Sequence, residues 1–231
     1  RYPLVTGVQT CALPICFITG LYVIIVPMLG LFVGQRVGWN VWGGAAIAVV
    51  GLFFLSLFDP AGSAVSMGEG DLWVLACALA WSFHVQVIGR AAPEADPFVI
   101  SAVQFAVTGI AGLAVSQVLA LGFGDQPWGA REALSLHCIT DAAGPLAYAT
   151  LLSTCVAFTL QVVAQGSAPP AHAAILLGLE GVFSALTEAA LVFAGWTGLG
   201  APLTGWKTFG CVLMFAGALL SQVRVRKPVA S

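Results

Sequence analysis

The chain has 231 residues, 59% of them hydrophobic and 8% charged, with a mean hydropathy of +0.98 and a formal net charge of −2. Soluble domains carry about a quarter charged residues, so this composition excludes a water-soluble module and predicts an integral membrane protein. Nothing in it points to nucleic acid, and the six cysteines form no Cys-x-x-Cys or Cys/His cluster, so neither a metal site nor a disulfide framework is expected.

In chain order, residues 1–16 read like neither a helix nor a signal peptide, because they lack a basic start, a clean apolar run and a cleavage site. Val5 to Ile15, Val-Thr-Gly-Val-Gln-Thr-Cys-Ala-Leu-Pro-Ile, resembles the conceptual translation of a common sequencing-library adapter. On that reading the natural protein starts near Cys16 or Phe17, and an upstream part is absent. Apolar stretches near the roughly 20 residues that cross a bilayer then fall at 17–34, 39–57, 71–90, 97–121, 144–166, 171–194 and 205–223. Seven spans are expected. Between the second and third lies a segment rich in turn formers, Asp59-Pro-Ala-Gly-Ser-Ala-Val-Ser-Met-Gly-Glu-Gly-Asp71, which marks the one credible boundary.

If the spans alternate, Arg36, Arg90, Arg224, Arg226 and Lys227 lie on one side, and Arg131 and Lys207 on the other. The positive-inside rule then puts the C-terminus, including the tail 224–231, in the cytoplasm, with Trp128 as an outer interfacial anchor.

The first pair of spans and the last pair share an order of features. Pro27 precedes Gly44 and Gly51 in the first, and Gly181 precedes Gly210 and Gly217 in the second. The simplest account is a five-helix unit, whole at 71–223 and represented at 17–58 by its last two helices, with 59–70 as linker. Five is odd, so tandem units would lie in the membrane in opposite orientation, the inverted-repeat plan of many secondary carriers. Gly44, Gly51, Gly210 and Gly217 are read as helix-packing positions, and Pro27 and Gly181 as hinge candidates.

Ionisable groups at bilayer depth cost from about 2.5 kcal/mol upward and usually face a cavity or a partner. Glu180 stands near the centre of its span, with Ser184 and Thr187 continuing a polar stripe. It reads as a proton carrier, as a counter-charge to a cationic substrate, or as a neutral structural carboxyl. Glu188, nearer the helix end, reads as a snorkelling side chain. His84 has Trp81 at i−3 and reads as a gating or substrate contact, or as an interhelical hydrogen bond. Gln104 with Thr108, and Gln161 with Gln165, sit at i, i+4 on their helices, offering amides to a ligand or to a neighbouring helix.

The runs Gly70-Asp-Leu-Trp-Val-Leu-Ala-Cys-Ala-Leu-Ala-Trp-Ser-Phe-His84, Leu152-Ser-Thr-Cys-Val-Ala-Phe-Thr-Leu160, Leu179-Glu-Gly-Val-Phe-Ser-Ala-Leu186 and Gly210 to Gly217 resemble the EamA type of the drug/metabolite transporter superfamily. The resemblance covers 17–223 and implies an all-α integral membrane protein, with seven helices of a ten-helix fold made of two inverted five-helix repeats. It also implies a bacterial inner-membrane location and movement of small metabolites or drugs, often outward. The chain departs from the family in having Glu180-Gly181 where Glu-Pro is usual, and Gly34-Gln35-Arg36 and Gly195-Trp196-Thr197 where Gly-Glu-Arg is usual.

The expected function is a secondary carrier working by alternating access, with Glu180, His84, Trp81, Gln104, Thr108, Gln161 and Ser184 lining its site. Expected partners are a small-molecule substrate, the lipid bilayer and, through Glu180, protons. A homodimer is left open, and no cofactor is expected. The alternatives are an intramembrane enzyme, for which neither Gly-x-Ser-x-Gly nor His-Glu-x-x-His occurs, and a seven-helix receptor. With three helices absent upstream, the chain alone is not expected to transport.

Overall fold

The computed structural model describes residues 15–58, 69–123, 140, 143–195 and 203–223. The adapter-like residues 1–14, most of the linker, Trp128, Arg131, Trp196, Thr197 and the tail 224–231 lie outside them. Every regular element among the described residues is helical: α1 (Tyr22–Phe32), α2 (Trp39–Ser56), α3 (Glu69–Ala91), α4 (Pro97–Phe123), α5 (Ala143–Tyr148), a π-helix (Ala149–Phe158), α6 (Thr159–Gln165), α7 (Pro170–Leu177), α8 (Glu180–Phe193) and α9 (Gly205–Gln222).

Among the described residues, six helical stretches are long and apolar enough to cross a membrane: Ile15–Phe32, Trp39–Ser56, Gly70–Ala91, Pro97–Val118, Ala143–Gln165 and Pro170–Phe193. They coincide with the first six expected spans. The seventh falls on α9, which is helical for 18 residues but is not among the six, because Lys207 near its start and Gln222 at its end dilute its apolar character. Large apolar side chains such as Phe32, Trp39, Phe98, Ile110 and Leu219 point away from the protein, as lipid-facing positions do. The protein is a multi-pass, all-helical membrane protein.

The chain divides into two units, one within residues 1–87 and 168–231 and one within 88–167. In the first, α1 ends at Gly34, whose φ of +77° is open to glycine without steric cost. The Gln35 N–H reaches back to the Gly30 carbonyl at 2.9 Å and the Gly34 N–H to that of Leu31 at 3.0 Å, a Schellman stop. The last turn of α8 closes in a similar way at Gly195, φ +91°. Pro170 opens α7 at its first turn, where its missing N–H is not needed. Thr204 caps α9, its Oγ1 accepting from the Lys207 N–H at 3.3 Å.

Packing in this unit centres on α2 against α9. A Cβ on Gly44 would stand 2.5 Å from the Gly217 carbonyl oxygen, and one on Gly217 would stand 2.5 Å from that of Gly44. Gly51 and Gly210 meet in the same reciprocal way at 2.7 and 2.6 Å. The helices are therefore antiparallel and touch backbone to backbone at two points about 10 Å apart, seven residues at the helical rise. Around the seam lie two apolar clusters, one built on Tyr22, Val26, Val41, Ala45 and Ile175 and one on Leu52, Leu55, Val182, Cys211 and Met214.

Polar ties fix the ends. Asn40 Nδ2 donates to the carbonyls of Ser221 (2.9 Å) and Val223 (3.0 Å), closing the C-terminus of α9. Gln86 Nε2 donates to the Val26 carbonyl at 2.8 Å, and its Oε1 accepts from Gln35 Nε2 at 2.8 Å. The loop residue Gln35 thus serves α3 as well as its own turn.

In the second unit, Asp96 caps α4 with its carboxylate on the N–H of Phe98 at 2.7 Å, and Pro97 follows as the first helical residue. Ile88, Ala92 and Val162 form its apolar centre, with Ile100 packed on them. The span 143–165 changes winding midway, since Ala149–Phe158 is a π-helix ten residues long, a form usually confined to single turns.

Candidate functional site

The first unit holds an open-sided cavity of about 450 Å³ whose walls come from the stretch before α1, α1, α2, α8 and α9. Its walls are largely apolar, built by Val23, Ala48, Leu52, Leu55 and Met214, and they are interrupted by Glu180, Ser184, Glu188, Tyr22 and Lys207. An apolar chamber with a few convergent polar groups is the usual form of a small-molecule site.

Glu180 owes its position to a break in its span. Helix α7 stops at Leu177, Gly178 and Leu179 form a turn, and α8 begins with Glu180 in its first turn. Gly178 is needed there, because a Cβ would stand 2.7 Å from Val23 Cγ2 on α1. The carboxylate consequently sits at the amino end of α8, where unpaired N–H groups and the helix dipole favour negative charge. Tyr22 of α1 lines the same cavity. Tyr22 is 2% exposed, so its phenol is locked in place by the α1 core.

The rings continue from there. Tyr22 meets Trp81 edge-on at 6.5 Å and 74°, and Trp81 stacks on His84 at 5.0 Å and 25°. Ser184 lines the cavity one turn beyond Glu180, whereas Trp81 and His84 stand behind Tyr22 and are not part of the cavity lining. The Thr187 hydroxyl turns back onto the Phe183 carbonyl at 2.8 Å. Gly181 lies in the cavity wall, one residue inside α8, and the interruption of the span is at Gly178–Leu179. Pro27 lies inside α1 and is buried.

Gln104, Thr108 and Gln161 belong to the second unit. The Gln104 amide is buried with neither its nitrogen nor its oxygen hydrogen-bonded, as is the neighbouring Ser101 hydroxyl. Thr108 is exposed, and Gln161 Nε2 donates to Gln165 Oε1 at 3.3 Å. Among the described residues no three His, Cys, Asp or Glu side chains gather to hold a metal ion.

Sequence reasoning missed Tyr22, Gln86 and the cavity role of Lys207 and Glu188. Tyr22 sits in the apolar run Leu21-Tyr-Val-Ile-Ile-Val26 and reads as core. The available signal was its hydroxyl, which at bilayer depth requires a partner. Lys207 read only as a count in the charge balance, because its cavity neighbours come from elements distant in sequence.

A family model described as the EamA-like transporter family matches residues 68–222. The chain is also 26% identical over 210 residues to a protein of Archaeoglobus fulgidus named as an uncharacterized transporter, an alignment covering 90% of this chain and 60% of the relative. The chain thus spans about three-fifths of that relative's length. No solved structure matches. With two-thirds of its length under the family model and an all-helical, multi-pass structure, the chain belongs to the EamA-like transporter family.

Proposed function

We propose that the protein works as a secondary carrier that moves small metabolites or drugs across a bacterial inner membrane by alternating access, outward and with protons as the coupling ion. The observation that carries this reading is the cavity in which Glu180, at the start of a broken helix, faces a largely apolar chamber. Interrupted helices whose ends point into a chamber are the usual architecture of a carrier site. No phosphate-binding loop of the Gly-x-x-x-x-Gly-Lys-Ser/Thr type occurs in the sequence, so nucleotide hydrolysis by this chain has no support.

The same reading makes Glu180 the proton-exchanging group and Ser184, Trp81 and His84 its surroundings. It also makes α9 a seventh span. That helix runs antiparallel to α2 through two glycine contacts, and a partner packed so closely along a membrane helix crosses the same hydrocarbon layer. Two inverted five-helix repeats, of which 71–223 is one, account for both the antiparallel pairing and the left-handed glycine stops at Gly34 and Gly195.

The test uses the protein encoded by the complete gene, reconstituted in liposomes under an imposed pH gradient and screened for uptake and release of metabolites and drugs. Wild-type flux should follow the gradient and Glu180→Gln flux should not. Equal pH dependence in both would remove Glu180 from the coupling role.

A further inference from the structure

The charges of the chamber are spread along its length, and the coupling role uses only one of them. Of the described residues that line it, three carry charge: Glu180 and Glu188 on α8 and Lys207 on α9. Eight residues at the helical rise set the backbones of the two glutamates about 12 Å apart along α8. Glu180 stands where the span is interrupted, whereas Glu188 lies toward the end of α8 and Lys207 in the first turn of α9, on either side of the connection 194–204. The antiparallel seam sets Lys207, one turn before Gly210, beside the end of α2, where Ser56 adds a hydroxyl to the same wall. The rest of the lining is largely apolar, from Val23, Ala48, Leu52 and Met214.

We propose that the chamber takes a basic amino acid, a molecule with a zwitterionic head, an apolar chain and a cationic end. The head pairs its α-ammonium with Glu188 and its carboxylate with Lys207, the methylenes lie on the apolar wall, and the terminal ammonium meets Glu180. The assignment rests on this chamber being the binding site of a carrier, and it names the substrate class that the site selects.

Charge and length both favour it. Two carboxylates and one ammonium give the wall one net negative charge, which a ligand with one net positive charge neutralises, and ionised groups left unpaired at bilayer depth are costly. A simple monocation leaves Glu188 and Lys207 without ligand partners, a diamine sets its second ammonium against Lys207, and a neutral zwitterion leaves Glu180 unanswered. Charge-assisted hydrogen bonds are about 2.8 Å long, so two of them within about 12 Å leave roughly 6–7 Å between the nitrogens of the ligand, the spacing across an extended lysine. Glu180 then meets either a proton or the terminal ammonium, so one carboxylate serves both coupling and recognition.

Calorimetric titration of the purified protein encoded by the complete gene, in detergent and without a gradient, tests this with probes that differ by single groups. L-lysine should bind at least about tenfold more tightly than norleucine, which lacks the terminal ammonium, than 6-aminohexanoate, which lacks the α-ammonium, and than cadaverine, which lacks the carboxylate. Tenfold is near the lower end of what one hydrogen bond to a charged group is worth. Each variant should abolish one preference: Glu180→Gln that over norleucine, Glu188→Gln that over 6-aminohexanoate, and Lys207→Gln that over cadaverine.

No binding of lysine, or equal binding of lysine and any one of the three analogues by the wild type, overturns the proposal, and this comparison needs no variant to fold. A preference that survives the loss of its charged residue overturns it as well. Flux is read separately. If other solutes show pH-dependent flux while lysine is not preferred, the carrier reading stands and this assignment falls. If lysine is preferred as expected while Glu180→Gln flux keeps the pH dependence of the wild type, the coupling role falls and the assignment stands.

Discussion

Gln86 shows how much one amide can hold inside a membrane. It is 4% exposed, donates to a backbone carbonyl of α1 and accepts from Gln35, so the turn after α1 and the C-terminal part of α3 are linked through a single side chain. Replacement by leucine fills the space but leaves the Gln35 amide without its acceptor. A cost of roughly 1–3 kcal/mol follows from losing a buried partner. Thermal melts in detergent should show Gln86→Leu clearly below wild type, and Gln35→Ala, at a half-buried position, between the two. Polar groups on a single helix were legible in the sequence: Glu180 and Ser184 stand out because a carboxylate and a hydroxyl interrupt an apolar run at helical spacing. Tyr22, Gln35 and Gln86 were not, because what distinguishes them is a partner on another element, and sequence spacing carries no information about that.

At the scale of the element, the α2–α9 seam makes sharp demands. At Gly51 and Gly210 the obstacle to a side chain is the facing backbone, which cannot rotate away as a flexible side chain can. Gly51→Leu should therefore destabilise by at least the roughly 1–3 kcal/mol typical of overpacking. Gly181 offers the contrast, since a Cβ there would meet only Leu55 Cδ2 at the ordinary distance of 3.5 Å. Gly181→Ala should leave the melting temperature unchanged or raise it, given alanine's advantage of about 1 kcal/mol in a helix; a marked fall would mean that the position must flex. Helix positions were well legible, because a run of some twenty apolar residues can satisfy its backbone in lipid only as a helix. The site of the break was not. Gly181 lies beside Glu180, one residue inside α8, and the helix is interrupted at Gly178–Leu179, where Val23 of α1 leaves little room for a Cβ. The π-helix at 149–158 left no sequence signal either, since Leu152 to Leu160 has the same apolar and small residues as the α-helices around it.

For the molecule as a whole, the arrangement of charge gives a topology that can be checked. If α9 is a seventh span, an odd number of crossings separates Arg36 and Arg90 from Lys207, and the positive-inside rule then predicts that the end of α9 faces the cytoplasm. A fluorescent-protein fusion after Val223 should be bright and a phosphatase fusion at the same point inactive; the reverse pattern would mean either that the topology is inverted or that α9 does not cross. The family was legible because it is written in the order of small and polar residues along successive spans, a property of the sequence itself. The cavity's apolar lining was not, since it is contributed by α1, α2, α8 and α9 together.

The glycine seam also sets what in this unit is able to move. Where two backbones touch at Gly44–Gly217 and again at Gly51–Gly210, there are no rotamers to exchange and no side-chain layer to slide. The pair α2 and α9 therefore behaves as an axle. Any opening and closing of the chamber would then fall to the helices packed on this pair, among which the span Pro170–Phe193 is the one interrupted beside the chamber, at Gly178–Leu179.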